Sequence, residues 1–251
     1  MIVRWRTVRE AARGPVVTHA LIAGCSAVFL IGPASGLNPG YGTGEALVES
    51  GTEYFRRWGV VPAELFGGGI RELLTPLTAL FVHGSWLHLL GNMLFLFVFG
   101  AMTEERMGRA EFLLFSLCTG YLSLVAYAAA HASQEQTLVG ASGAISAVLG
   151  AFLCLFPRAR VTSLFPFLLF LPLRFPAWMV LLSWFALQWL AAHRAGSGPG
   201  VAYLAHLVGF SLGFAYAWVR YRRTTRVGRP ATDTEGDTTS DHRDRAHQDQ
   251  R

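Results

Sequence analysis

Long apolar segments recur along this chain of 251 residues, separated by stretches that hold most of its charge. A helix needs roughly 20 apolar residues to cross a hydrocarbon core about 30 Å thick. Hydrophobic residues make up 52% of the sequence and charged residues only 15%, whereas a soluble domain carries about 25% charged residues. This balance excludes a cytosolic enzyme, a disordered chain and a disulfide-rich secreted scaffold. The predicted spans are residues 16–31, 87–102, 112–130, 140–156, 176–192 and 201–219.

The sequence therefore predicts an all-α membrane protein, a bundle of six transmembrane helices with a long interfacial first loop. That loop, residues 33–82, mixes glycines and charges with bulky apolar residues, which is typical of short helices lying against a bilayer. Residues 16–222 form the six-span region, between a cytoplasmic N-terminus (1–15) and a polar tail (223–251) that we expect to be disordered. Residues 165–173 are apolar but contain prolines, so they either extend the fifth span or lie in the interface.

The distribution of arginine indicates how the spans are oriented. Basic residues concentrate before the first span and after the second, fourth and sixth spans, and cytoplasmic loops carry an excess of basic residues. We therefore expect a multi-pass protein of the inner (plasma) membrane with both termini in the cytoplasm. A secretory signal peptide is the alternative for the first apolar segment. The net charge of +5 is not arranged as a basic face interleaved with aromatic residues, so nucleic acid is not an expected partner.

A serine opens the fourth span, within the sequence Gly140-Ala141-Ser142-Gly143. Polar side chains inside spans are energetically costly, so each one is a candidate functional residue. A helix starting at Ser142 below the membrane surface would leave backbone N–H groups unpaired, and a water-filled cavity would satisfy them. The same N–H groups could stabilise an oxyanion. The alternative is that the small residues only allow close helix packing.

A histidine lies in the apolar surroundings of the sixth span. His206 precedes Gly209 and Gly213, which form a Gly-x-x-x-Gly face that lets another helix approach closely. Beside a serine in a cavity, a neutral imidazole is a plausible general base. A structural histidine with its hydrogen bonds satisfied is the alternative.

Two more polar side chains, His88 and Asn92, are four residues apart at the start of the second span, so they share one helical face. They could donate hydrogen bonds to a tetrahedral oxyanion, or else cap the helix and bond to neighbouring helices. His83 is expected to be a structural hydrogen-bonding residue of the preceding loop. The spans hold no H-E-x-x-H pattern and no carboxylate that could complete a zinc site, so we expect neither a metal nor another cofactor.

Taken in order, these motifs closely resemble the rhomboid family of intramembrane serine proteases. The resemblance covers about residues 15–222, and the loop sequences at 58–63 and 104–109 look like the bacterial branch of the family. The motifs are His83-x4-His88-x3-Asn92, then Gly140-Ala141-Ser142-Gly143, then Ala205-His206-x2-Gly209-x3-Gly213.

The resemblance implies a role for each of these positions. Ser142 would be the nucleophile and His206 its general base, a dyad without an acidic third member. His88, Asn92 and the backbone N–H of Ser142 would form the oxyanion hole, and His83 would be structural. The substrates would be other membrane proteins, cut in or near their transmembrane helices without metal or cofactor.

One position departs from the family pattern. Many relatives carry an aromatic residue four positions after the nucleophile, packed against the catalytic imidazole, whereas this chain has Ser146 there. Tyr203, three residues before His206, is a possible substitute. Two other functions are compatible with polar residues in the spans: a catalytically silent rhomboid-like protein that binds membrane clients, and a small transporter or channel.

Overall fold

A computed structural model of the protein describes residues 14–165, 171–194 and 202–221. Most of the expected N-terminal extension, the middle of the proline-containing segment and the expected disordered tail lie outside the described residues. The helices are α1 (Val16–Ile31), α2 (Glu45–Trp58), α3 (Pro62–Leu65), α4 (Ile70–Ala79), α5 (Trp86–Phe95), α6 (Ala101–Met107), α7 (Arg109–Ala130), α8 (Ser142–Leu155), α9 (Ala177–Arg194) and α10 (Tyr203–Tyr221).

Each predicted apolar segment lies largely on a helix. A π-helical segment, Leu96–Gly100, joins α5 to α6, so the second segment forms one continuous helix, Trp86–Met107. This helix and α7 are long and apolar enough to cross a membrane, while α1 and α8 are shorter apolar helices. Large hydrophobic side chains are exposed on the outside of these helices, as expected for a helical bundle that faces lipid. The first loop contains the short helices α2, α3 and α4, as predicted.

A two-stranded antiparallel sheet lies between α8 and α9, and the expected all-α fold did not include it. Strand β1 (Arg160–Phe165) pairs with β2 (Leu171–Pro176), with Arg160 opposite Pro176 and Phe165 opposite Leu171. Proline lacks a backbone N–H and clashes with the preceding helical turn, so Pro172 and Pro176 oppose a helix here. The segment consequently does not extend α9, the helix of the fifth predicted span, which begins at Ala177.

A buried carboxylate ties α1 into the bundle. Glu104 of α6 is only 2% exposed. Its carboxylate accepts hydrogen bonds from Val17 N (2.9 Å), Thr18 N (2.7 Å) and Thr18 Oγ1 (2.8 Å). These N–H groups belong to the first turn of α1, where a helix has no internal acceptors and where its dipole favours a negative charge. Glu104 therefore acts as the N-terminal cap of a helix that is distant in sequence.

The most buried helix in the described part of the chain is α8, and it packs closely against α10. Gly150 of α8 contacts Phe210 O, and Gly213 of α10 contacts Ala147 O; in each case an added Cβ atom would collide with backbone. Glycine is required at such positions because the two helix backbones are nearly in contact. The main hydrophobic core surrounds this pair and includes Phe99 and Phe152.

Candidate active site

The first loop fixes the chain segment that leads into α8. Val60 and Leu138 exchange two backbone hydrogen bonds, Val60 N to Leu138 O (2.9 Å) and Leu138 N to Val60 O (2.8 Å). Two residues later, Gly140 N donates to Ala79 O at 2.8 Å. These bonds hold the backbone just before Ser142, the first residue of α8. No side chain caps this N-terminus, so its N–H groups and the positive end of the helix dipole remain available to an anionic group.

Gly140 brings this backbone directly against His88 and Asn92. Its φ of +119° is one that residues with a side chain rarely adopt. A Cβ atom at this position would lie 2.6 Å from His88 Nε2 and 3.6 Å from Asn92 Nδ2. The structure thus brings together the predicted oxyanion donors and the segment that carries the predicted nucleophile.

The Asn92 amide is a buried hydrogen-bond donor whose nitrogen has no acceptor among the residues that the structure describes. A buried polar group without a partner costs about 1–3 kcal/mol, and such groups are rare in folded proteins. Because Nδ2 faces the segment before Ser142, this donor is available to an oxygen atom that arrives with a substrate.

His206 approaches the same region from α10. Gly209, three residues further along α10, contacts Gly143 O, and a Cβ at Gly143 would lie 3.8 Å from Ala205 O. Ser123 of α7 fills the remaining space, with its Oγ 3.0 Å from the Cβ position of Gly209. The neighbours of Ser142 and of His206 along the chain are therefore packed together, as the predicted helix contact requires. Ser123 was not singled out from the sequence, where it is an ordinary serine in an apolar helix.

The His206 side chain is buried, at 8% exposure, and has neighbours from α9 and α5. Its Nδ1 lies 2.8 Å from Gln188 Oε1 of α9. The Trp184 ring, also from α9, lies 6.1 Å from the imidazole centroid. His88 of α5 is close enough to interact electrostatically with His206. The predicted general base thus lies within electrostatic range of one predicted oxyanion donor, His88.

Gln188 is a second site residue, after Ser123, that was not predicted from the sequence. It is an amide in an otherwise largely apolar helix, so the rule that polar residues in spans are candidates would have identified it. Its partner lies 18 residues away on another helix. No spacing motif within a single helix could have indicated that contact.

The remaining predicted positions have identifiable contacts. His83 is 1% exposed, its Nδ1 lies 3.2 Å from Phe81 O, and its ring is 5.1 Å from that of His88. Ser146 donates a hydrogen bond of 2.6 Å to Ser142 O, so it is directed at its own helix. The Tyr203 ring stands perpendicular to His206 at 6.4 Å.

Together these contacts form a site suited to acyl transfer. A hydroxyl lies at the N-terminus of a helix, an imidazole comes from the helix packed against it, and an amide and a second imidazole lie beside the intervening loop. Acyl transfer needs a nucleophile, a base and donors for an oxyanion. Among the described residues, no group of three or more His, Cys, Asp or Glu side chains could hold a metal ion.

Comparisons with known proteins identify the family. The chain matches the Rhomboid domain family over residues 71–223, more than half of its length. It is also 34% identical over 161 residues to "Rhomboid protein 1, mitochondrial" of Saccharomyces cerevisiae. That alignment covers 59% of this chain and 44% of the yeast protein, so the chain spans less than half the length of this relative. The chain belongs to the rhomboid family, a family of membrane-embedded helical proteins that comprises intramembrane proteases and related pseudoproteases.

Proposed function

We propose that this protein is an intramembrane serine endopeptidase that hydrolyses peptide bonds in or near the transmembrane helices of other membrane proteins. The observation that carries the proposal is the position of Asn92 Nδ2, a buried donor without an acceptor among the described residues, which faces the segment before Ser142. His83 Nε2 and Ser116 Oγ are buried without a described partner as well, so the location of the Asn92 amide, and not the missing partner alone, supports the proposal. A donor kept free beside a serine at a helix N-terminus is what an oxyanion hole requires.

The proposed reaction proceeds through an acyl-enzyme. Ser142 Oγ bonds to the carbonyl carbon of the scissile peptide while its proton passes to Nε2 of His206. His88, Asn92 and the Ser142 N–H donate to the oxyanion. The C–N bond then breaks, and the imidazolium gives its proton to the leaving amine. Water attacks the resulting ester, returns a proton through His206 and releases the new carboxyl end with Ser142 restored.

The proposed architecture is the six-span bundle, residues 16–222, with the N-terminal residues and the tail in the cytoplasm. Glu104 accepts hydrogen bonds from the start of α1 and so holds this helix in the bundle. This supports a retained first span rather than a cleaved signal peptide. We propose the inner (plasma) membrane as its location and the bacterial branch as its place in the family, on the distribution of arginine and the loop sequences.

Substrate preference follows from the chemistry of helices. Backbone carbonyls within a transmembrane helix are held in i to i+4 hydrogen bonds, so the scissile segment must first unwind. Helix-breaking residues near the cleaved bond lower the free energy of unwinding. We therefore propose membrane proteins with such residues, and with a small residue just before the cleaved bond, as the preferred partners.

The test is cleavage by purified protein. Wild type is incubated in detergent or liposomes with a generic transmembrane substrate, and separately with a fluorophosphonate probe that forms a covalent bond to an activated serine. We expect Ser142→Ala and His206→Ala to abolish cleavage, and Ser142→Ala to abolish labelling. Ser183→Ala and His193→Ala, both at exposed positions on α9, are the matched controls and should cleave like wild type.

The two other functions predict different results. A catalytically silent member would bind membrane proteins without cutting them, and the probe would not label Ser142. A transporter or channel would show solute flux that persists in Ser142→Ala. Either result, with no cleavage by wild type, would reject the protease.

A further inference from the structure

The Gln188 side chain occupies an energetically costly place for an amide. It lies on α9, where its neighbours Leu187 and Trp189 are 63% and 52% exposed on the outer face of the helix. An amide directed at lipid would lose its hydrogen bonds to water. Gln188 is instead half-buried and directed inward, with Oε1 2.8 Å from His206 Nδ1.

The orientation of the Gln188 amide determines which ring nitrogen of His206 is free. With Oε1 on Nδ1, the amide oxygen accepts, so Nδ1 carries the proton and donates it. Nε2 then holds the lone pair that takes a proton from a serine hydroxyl. With the amide reversed, its NH2 group would donate to Nδ1 and the ring proton would sit on Nε2, which would leave the serine without a base. The proposed chemistry therefore requires the orientation with Oε1 on Nδ1.

A second residue of α9 supports the same ring. Trp184 lies one helical turn before Gln188, so both side chains are on one face of α9. Its ring lies 6.1 Å from His206 and 6.0 Å from Phe210. Phe185 also contacts Phe210, with ring centroids 4.9 Å apart. The imidazole is therefore held between α10 and α9.

The helix that carries Ser142 offers no comparable support. Ser146, one turn after Ser142, donates its hydroxyl proton to Ser142 O and is 1% exposed. No carboxylate is among the described partners of His206. Among the described residues, Gln188 thus provides the hydrogen bond to His206 Nδ1.

We propose that Gln188 is a positioning residue of the dyad, which fixes the tautomer and ring orientation of His206 from a third helix. The inference rests on the proposed protease function and extends it. Because the acceptor lies on α9, cleavage depends on the packing of α9 against α10. Separation of the two helices would release Nδ1 and leave the imidazole free to change tautomer or turn.

Gln188→Met and Gln188→Glu test the proposal, because the three side chains have nearly the same length. Methionine removes the strong acceptor, whereas a glutamate carboxylate keeps it and cannot donate when ionised. We expect Gln188→Met to lower kcat by about 10- to 100-fold with little change in KM, since a misplaced imidazole affects the chemical step. Gln188→Glu should stay within about threefold of wild type, because it holds the same tautomer. The rate of fluorophosphonate labelling should follow kcat.

Leu182→Met is the matched control, since it introduces the same side chain at a position of α9 that is 47% exposed and should leave kcat and thermal unfolding unchanged. A wild-type kcat in Gln188→Met would overturn the positioning role. Equal losses in Gln188→Met and Gln188→Glu, with a lower unfolding temperature in both, would show that Gln188 only packs the helices. If wild type shows no cleavage that depends on Ser142, the proposed function itself fails, and this inference fails with it.

Discussion

At the scale of single residues, the site combines groups that are poorly satisfied on their own. Asn92 Nδ2 is buried without an acceptor among the described residues, and Gly140 adopts a positive φ, open to glycine but strained for other residues, against His88. A buried donor without a partner destabilises a fold. The residues that build this site are therefore expected to trade stability for activity.

Asn92→Ala tests whether a site residue supports activity without contributing to stability. Removing an oxyanion donor should lower kcat by about 100-fold. The unfolding temperature should fall little, because the lost amide nitrogen has no acceptor among the described residues. Cleavage kinetics and thermal unfolding of the same preparation measure both effects.

Asn38→Ala is the control for that variant. Asn38 donates to Ile31 O at 2.7 Å and accepts from Gly40 N at 3.0 Å, in the first loop. Its loss should lower stability by about 1 kcal/mol and leave kcat unchanged. An Asn92→Ala protein that unfolds earlier and still cleaves at the wild-type rate would assign Asn92 a structural role.

At the scale of secondary-structure elements, the α8–α10 contact is the central arrangement. Gly150, Gly209 and Gly213 let the two helices approach until backbone meets backbone. This contact holds the N-terminus of α8 beside His206. Since interiors are packed closely, the distance between the helices cannot increase without disturbing the site.

Gly213→Ala tests the contact. The added methyl group would collide with Ala147 backbone atoms, and overpacking of this kind costs about 1–3 kcal/mol. We expect a lower unfolding temperature together with slower cleavage, because α8 and α10 must move apart.

Gly91→Ala is the matched control in α5, where an added Cβ would meet nothing within 4 Å. Alanine is the better helix former by roughly 0.5–1 kcal/mol, so this variant should be as stable as wild type or more stable. If Gly213→Ala were equally harmless, the close contact would not be required.

At the scale of the whole molecule, the proposed orientation places the segment between α7 and α8 outside the cytoplasm and the turn after α8 inside it. Glu135 and Arg158 are exposed residues of these two segments. The chain has three free cysteines, Cys25, Cys118 and Cys154. Their replacement gives a background for single-cysteine labelling.

In that background, Glu135→Cys should react with a membrane-impermeant maleimide in intact spheroplasts. Arg158→Cys should react only after the membrane is disrupted, because the excess of basic residues predicts a cytoplasmic turn. Labelling of both variants in disrupted membranes is the control for reactivity. The opposite pattern in spheroplasts would reverse the topology.

Local features of the sequence predicted much of this molecule. The apolar segments became helices with ends close to the predicted ones, because hydropathy and helix formation depend on neighbouring residues. His88 and Asn92 share a face of α5 because their spacing is helical. The hairpin of β1 and β2 was not predicted. Residues 165–173 are apolar and contain prolines, and they were expected either to extend the fifth span or to lie in the interface.

The sequence by itself indicated that the chain enters a membrane, which segments are helical, and which polar side chains are candidates for a function there. The tertiary structure decided which residues those side chains contact. Residues far apart in the chain make these contacts: Gln188 with His206, Glu104 with the start of α1, and Gly140 with His88. Hydropathy and helical periodicity act over a few residues, whereas these contacts depend on how whole helices pack, and no local pattern encodes that packing.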